Sequence, residues 1–258
     1  MGEVDGPELA PTAFDELFRA QAGSTLLLEL WSRAWGEDYP HEVEPFSPCS
    51  WSLLSSLVDA LRLPPGATLV DLGCGRGGPG LWLARAMNAR LVGIDWSAAA
   101  VELAEGRAPG WLPNGRYEMR TGTFTETGLP DGAADAVVSV DALALAPDPA
   151  AALAEVRRIT APGGRVAFTA SEAAGGDPAD RVWATLLNES GLALESAAEL
   201  AGTTDALRRL YDLTGTHAAE LREDLGATPT DHLLREAELV GPELESLTWI
   251  VYVARRSV

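Results

Sequence analysis

The stretch Val70-Asp71-Leu72-Gly73-Cys74-Gly75-Arg76-Gly77-Gly78 places Gly73, Gly75 and Gly78 at G-x-G-x-x-G spacing. It closes a short apolar run, Ala67 to Leu72, and precedes a helical pattern from Leu81 to Met87. Glycine suits such a turn because the backbone must bend sharply and let a ligand touch it, which a Cβ would prevent. Twenty residues beyond Gly75, at the end of the next apolar run (Arg90 to Asp95), stands Asp95. A carboxylate there can accept hydrogen bonds from both hydroxyls of a ribose, so the two features together point to a nucleoside cofactor. A dinucleotide fits them equally well. Asp71, two residues before the first glycine, would repel a pyrophosphate and suits the α-ammonium end of an amino acid.

Outward from this stretch the chain alternates. Ala98 to Arg107 reads as a helix, Arg116 to Thr121 as extended, and Ala134 to Val140 as a strongly apolar strand. A helix follows from Pro149 to Thr160, then a turn at Pro162-Gly163-Gly164 and a fifth strand from Arg165 to Ala170. The rhythm is that of an α/β, doubly wound sheet. Upstream, Phe14, Leu17 and Phe18, then Leu27, Leu30 and Trp31, fall at helical spacing, and Ser50 is placed to cap a helix burying Leu53, Leu54, Leu57, Val58 and Leu61. Downstream of Gly175-Gly176-Asp177 come a helix (Arg181 to Ser190), a strand (Leu192 to Ser196), amphipathic helices from about Thr203 to Glu238, and a β-rich end from Leu247 to Ala254. This divides the chain into an amino-terminal helical segment (1–52), a nucleoside-binding core (53–175) and a remainder (176–258) whose helical insertion, about 200–245, forms a lid over the substrate pocket.

Composition narrows the function. The 258 residues are 47% hydrophobic, enough for a sizeable core. Lys+Arg number 19 against 38 Asp+Glu, a net charge of −19, and every one of the cations is an arginine. The absence of lysine excludes a Walker-A loop and any Schiff-base mechanism. The acidity argues against nucleic acid or an anionic membrane as partner. Cys49 and Cys74 cannot make a thiolate metal site, His41, His217 and His232 are scattered, and no metal is expected. No signal-like run opens the sequence and no stretch approaches membrane-spanning length. The expectation is a cytoplasmic protein, monomer or homodimer, acting on small molecules.

From about Leu53 to Ala170 the sequence resembles the class I S-adenosylmethionine-dependent methyltransferases. Val70-Asp71-Leu72-Gly73-Cys74-Gly75 is similar to their glycine-rich motif, and Gly93-Ile94-Asp95-Trp96-Ser97 to their ribose motif. Asp135 to Asp141 with Ala146-Pro147-Asp148 resembles their fourth-strand motif, and Pro162-Gly163-Gly164-Arg165 their turn into strand five. The resemblance implies a Rossmann-like, mostly parallel seven-stranded sheet. It also implies S-adenosyl-L-methionine as cofactor and S-adenosyl-L-homocysteine as product. Gly73, Cys74 and Gly75 would then line the methionine part, Asp95 hold the ribose, and Trp96 lie beside the adenine. Gly122, Thr123 and Phe124 would close the adenine pocket, with Asp141 beside the methionine or the reacting centre. Two departures stand out. Thr123 replaces the acid usual near the adenine amino group, and Ala144 and Leu145 stand where small-molecule relatives carry a His-His pair.

Methyl transfer is an in-line displacement at a sulfonium carbon, so alignment and desolvation can supply much of the catalysis. A base is needed only where the acceptor must lose a proton. Candidates for acid–base or positioning roles are His41, Tyr39, Asp141 and His217, the last in the lid with Tyr211; Trp35 or Tyr39 could shield the sulfonium with a ring face. The reading is a methyltransferase acting on O, N or C of a small molecule, a natural-product intermediate. One rival is an NAD(P)-dependent oxidoreductase, opposed by Asp71 and by the lack of lysine for a Tyr-Lys pair. Another is a protein of the same fold that catalyses a non-methylating rearrangement.

Overall fold

A computed structural model describes residues 11–176 and 181–258. The opening of the sequence and Asp177 lie outside the described residues. Seven strands form one sheet: β1 (Thr68–Leu72), β2 (Arg90–Asp95), β3 (Tyr117–Thr121), β4 (Ala134–Ser139), β5 (Thr160–Ala173), β6 (Leu192–Glu199) and β7 (Leu247–Arg256). Their order is β3-β2-β1-β4-β5-β7-β6; the first five are parallel, and β7 enters antiparallel between β5 and β6. This is the mostly parallel, doubly wound sheet expected from the alternation.

The helices are α1 (Pro11–Gly23), α2 (Thr25–Trp35), α3 (Trp51–Leu61), α4 (Gly78–Ala86), α5 (Ala98–Arg107), α6 (Pro149–Ile159), α7 (Val182–Glu189), α8 (Thr203–Thr216), α9 (Ala218–Leu225) and α10 (Ala227–Val240). Local chemistry starts several of them. Ser50 Oγ accepts from Leu53 N at 3.1 Å, Ser97 Oγ from Ala100 N at 3.0 Å, and Asp148 Oδ1 from Ala151 N at 2.9 Å. Each such cap stabilises its helix by about 1 kcal/mol.

Strand residues alternate between two cores. Leu69, Leu91, Ala136, Val138 and Ala167 face α3, α4 and α5, while Val70, Val92, Val137, Val166 and Phe168 face α6 and α7. A third core joins distant parts of the chain. Leu27, Leu30, Trp31 and Ala34 of α2 pack with Leu207 and Leu210 of α8, Leu221 and Leu225 of α9, and Trp249. Arg209 Nε donates to Ala34 O at 2.8 Å, and Ser24 Oγ donates to Asp224. Helix α2 and the late insertion therefore share one helical layer that packs against β7 at Trp249.

Three strands, β5, β6 and β7, run longer than the sequence indicated, β7 reaching Arg256. β5 begins at Thr160, because Thr160 pairs with Ala134 and Arg165 with Ala136, so the intervening Pro162-Gly163-Gly164 is an irregularity within the strand. Its far end continues to Ala173, which pairs with Leu247 of β7. β6 likewise reaches Glu199 through a register shift between Leu194 and Ser196.

Candidate active site

The sheet order reverses between β1 and β4, and the crevice beyond the carboxyl ends of strands at such a point is where α/β folds bind ligands. The turn after β1 lies there. Gly73, Gly75 and Gly77 have φ of +76°, +51° and +79°, and Gly73 N and Cys74 N donate to Ile94 O at 2.8 and 3.0 Å. A Cβ on Gly73 would stand 2.4 Å from Ala142 Cβ and 3.4 Å from the Phe124 ring. The loop after β4 thus closes directly on the glycine turn. Ser139 ties the two strand ends, donating to Leu72 O at 2.6 Å and accepting from Leu143 N at 3.0 Å.

Asp95, at the end of β2, accepts Gly75 N–H on Oδ2 at 2.8 Å and Ser97 N–H on Oδ1 at 2.9 Å. Burial raises its pKa while those amides oppose the rise. Each oxygen keeps a lone pair, which fits the vicinal hydroxyls of a nucleoside. Gly122 N donates to Asp95 O at 2.9 Å, and a Cβ at Gly122 would meet Ile94 Cγ2 at 2.8 Å. Thr123 Oγ1 is engaged by Glu126 N at 3.0 Å. Trp96 is exposed, with Phe14 edge-on at 5.2 Å.

Asp71 lies beneath this surface. It is 3% exposed, and a Cβ on Gly80 would fall 2.3 Å from its Oδ2. Its carboxyl is turned toward the first turn of α4. Burial, and then the charge of Asp95, push its pKa up to about 7 against the pull of the Gly80 amide. Cys74 is buried against Gly93.

Helix α1 covers the turn. A Cβ on Gly75 would sit 3.3 Å from the Phe18 ring. Asp15 Oδ1 accepts from Ser97 Oγ at 2.5 Å and from Ala99 N at 3.2 Å, so α1 is latched to the start of α5, one residue past Trp96. A second clamp holds the 40–46 loop. The Arg76 guanidinium lies 4.5 Å from the Phe46 ring centroid and donates to Glu44 O at 3.1 Å, while Arg107 donates to Val43 O at 2.9 Å and to Arg76 O at 3.3 Å.

Asp141 follows β4 with φ +55°, its N–H donating to Thr169 Oγ1 at 2.8 Å. Its side chain is exposed. Desolvation, and then the charge of Glu236 in α10, push its pKa up to about 7. Tyr211 Oη in α8 donates to Glu236 Oε1 at 3.0 Å, and its pKa is raised by burial, by Glu236 and by Asp141. Buried Cys49 borders the same place, its thiol pushed up by burial and then by Asp71 and Asp141.

The other expected residues are placed differently. Tyr39 is 1% exposed and donates to Pro45 O at 3.0 Å, so it has no open surface for a substrate or sulfonium. His41 is exposed on a turn, edge-on to Tyr39 and 3.2 Å from Ser32 Oγ. His217 sits at the junction of α8 and α9, its Nδ1 3.6 Å from Glu220. Trp35 stacks on Trp31 at 4.8 Å within the helical layer. Glu236, Asp15, Phe14 and Phe18 were not singled out as site residues. Glu236 is one acid among many on an amphipathic helix, and only the packing of α10 on α8 reveals it. Among the described residues no group of three His, Cys, Asp or Glu could hold a metal ion, and no helix is long and apolar enough to cross a membrane.

The fold and its crevice define a nucleoside-binding α/β protein with its site at the topological switch point. Residues 70–168 match the model of the methyltransferase domain family. It is 40% identical over 45% of its length to an uncharacterized 37.1 kDa protein in transposon TN4556 of Streptomyces fradiae, covering 33% of that protein. It is 29% identical over 57% of its length to 27-O-demethylrifamycin SV methyltransferase of Amycolatopsis mediterranei (strain S699), covering 56% of it. The matched regions thus span about a third and about half of these curated relatives. In fold, the chain is similar to the [4+2]-cyclase SpnF, with a TM-score of 0.70, 22% identity, and 93% and 96% of the two chains covered.

Proposed function

We propose that this protein is an S-adenosylmethionine-dependent methyltransferase acting on a small molecule, a natural-product intermediate, in the cytoplasm. The observation that carries the reading is the glycine turn set against Asp95, whose remaining lone pairs fit a ribose, within a chain matched by the methyltransferase model. Asp95 would receive the ribose hydroxyls. Gly73, Cys74 and Gly75 would border the methionine part, with Asp71 shaping that turn from below. Trp96, Gly122, Thr123 and Phe124 would border the adenine, and Phe14 and Phe18 would exclude water from above. Bound there, the cofactor supplies an electrophilic methyl group. Asp141 would stand at the reacting centre, with the acceptor cleft between it and α8 and α10. His41, His217 and Trp35 then serve the helical cover rather than the chemistry.

The test is a thermal unfolding scan with S-adenosylmethionine, S-adenosylhomocysteine, NAD and NADP in parallel. A ligand at about a hundred times its dissociation constant adds about 2.7 kcal/mol, a shift of about 5–10 °C for a domain of this size. The expected result is a shift with the two adenosyl ligands alone. A shift with a nicotinamide cofactor instead overturns the reading.

A further inference from the structure

The clamp on the 40–46 loop holds the glycine turn as well as the loop. Arg76 follows Gly75 directly, and its side chain is buried. Its guanidinium donates to Glu44 O at 3.1 Å and lies 4.5 Å from the Phe46 ring centroid. Arg107, the last residue of α5, donates to Val43 O at 2.9 Å and to Arg76 O at 3.3 Å. One guanidinium thus ties turn and loop together through a carbonyl of each. The two backbones also meet, since a Cβ on Gly78 would fall 2.5 Å from Val43 O. Glu44 is left-handed, with φ +50°, and its carboxylate lies 3.9 Å from Arg76 and 3.7 Å from Arg107. A non-glycine residue in that conformation is strained, and such strain persists only where the surroundings over-determine it.

Packing alone does not call for this arrangement. Taking two guanidinium groups largely out of water against one partly exposed carboxylate is costly, and apolar side chains of similar volume would hold a loop at less cost. What arginine adds is direction, because its planar fork fixes the groups it bonds. The turn needs that direction. Gly73, Gly75 and Gly77 all have positive φ, and glycine has the most conformational freedom to lose. The 2.8 Å bond from Gly75 N–H aims the Asp95 carboxylate, and it is only as steady as the turn that carries it. We propose that Arg76 and Arg107 are positioning residues for the cofactor, pinning the glycine turn in its binding shape before the cofactor arrives. This rests on the methyltransferase reading above. Both act through the backbone of residues 73–78, and the ordering cost of binding is met in advance.

The test uses Arg76→Lys and Arg107→Lys, which keep the charge and remove the planar fork. Hydrogen exchange of the amides at 73–78 is followed in the cofactor-free protein, and S-adenosylhomocysteine affinity is measured by calorimetry. The expected result is exchange at 73–78 at least about tenfold faster, while the amides of β4 and β5 keep wild-type protection. Binding of S-adenosylhomocysteine should weaken about three- to tenfold, and its saturation should restore slow exchange. The double variant should bind little more weakly than either single one, because both release the same turn. Phe46→Leu leaves both arginines in place and should move both readouts the same way by less, which decides the matter if a lysine variant does not fold. A role in stability alone would speed exchange throughout the sheet and leave the affinity of the folded protein unchanged. Wild-type exchange at 73–78, or an affinity within about twofold of wild type, overturns the inference. Failure of the wild-type protein to bind S-adenosylhomocysteine overturns the methyltransferase reading instead, and exchange in the cofactor-free protein still decides whether the arginines hold the turn.

Discussion

At the scale of single residues, the site is built from positions where one atom more or less decides the geometry. Gly73 combines a φ of +76° with a neighbour, Ala142 Cβ, 2.4 Å from where its own Cβ would be. Gly73→Ala should therefore push the loop after β4 away from the turn, at about 1–3 kcal/mol. The check is a denaturant melt together with S-adenosylhomocysteine titration. A stability and affinity equal to wild type would show that the turn has slack the distances do not. The glycines and Asp95 were legible in the sequence because their spacing is set by the backbone itself. Glu236 was not, because nothing in α10 distinguishes one exposed acid from the next until α8 is laid against it. Tyr39 shows the converse: an aromatic in a suitable segment reads as a ligand contact, and only its bond to Pro45 O shows it to be a loop anchor.

At the scale of elements, α1 is attached to the core largely through Asp15, whose carboxylate accepts from Ser97 Oγ and Ala99 N. Those bonds hold its pKa below the usual carboxylate range. Asp15→Ala should leave the sheet intact and free α1, so that limited proteolysis cuts within residues 11–23 several-fold faster while the rest of the chain resists. Added S-adenosylhomocysteine should slow that cleavage less than in the wild type. Cleavage at an unchanged rate would mean that the Phe14 and Phe18 contacts hold the helix without the latch. The parallel strands were readable as apolar runs between helical patterns. The start of β5 was hidden, because Pro162-Gly163-Gly164 signals a turn whether it ends a strand or interrupts one. No local signal marks α2 and α8 as neighbours, since their pairing is made by burial across the chain.

At the scale of the whole molecule, two carboxyls raised above their ordinary range set how the stability of this acidic protein depends on pH. Burial pushes the Asp71 carboxyl up to about 7 from an ordinary 3.8, and Asp141 is raised in the same direction. Between those values the folded form holds protons that the unfolded chain has given up, so stability falls as pH rises from about 4 to about 7. The opposite limb belongs to Glu155, lowered to about 2 chiefly by its bonds from Arg158, whose contribution is lost as pH falls below about 4.5. Urea unfolding from pH 5 to pH 8 should show declining stability, with a gentler slope in Asp71→Asn. A flat profile would mean that these carboxyls stay ionised in the folded protein. The net charge of −19 adds self-repulsion in the same direction, and salt should relieve that part alone.

The third core has a consequence in time. Leu27, Leu30 and Trp31 leave the ribosome long before their packing partners at Leu207, Leu221 and Trp249. Until α8 and α9 emerge the apolar face of α2 has nothing to rest on, while the parallel strands that follow it can already pair. The nascent chain therefore assembles its nucleotide-facing floor first and its roof last. A truncation that stops short of α8 would leave an apolar helix without a home, and such a fragment is a natural client for chaperones.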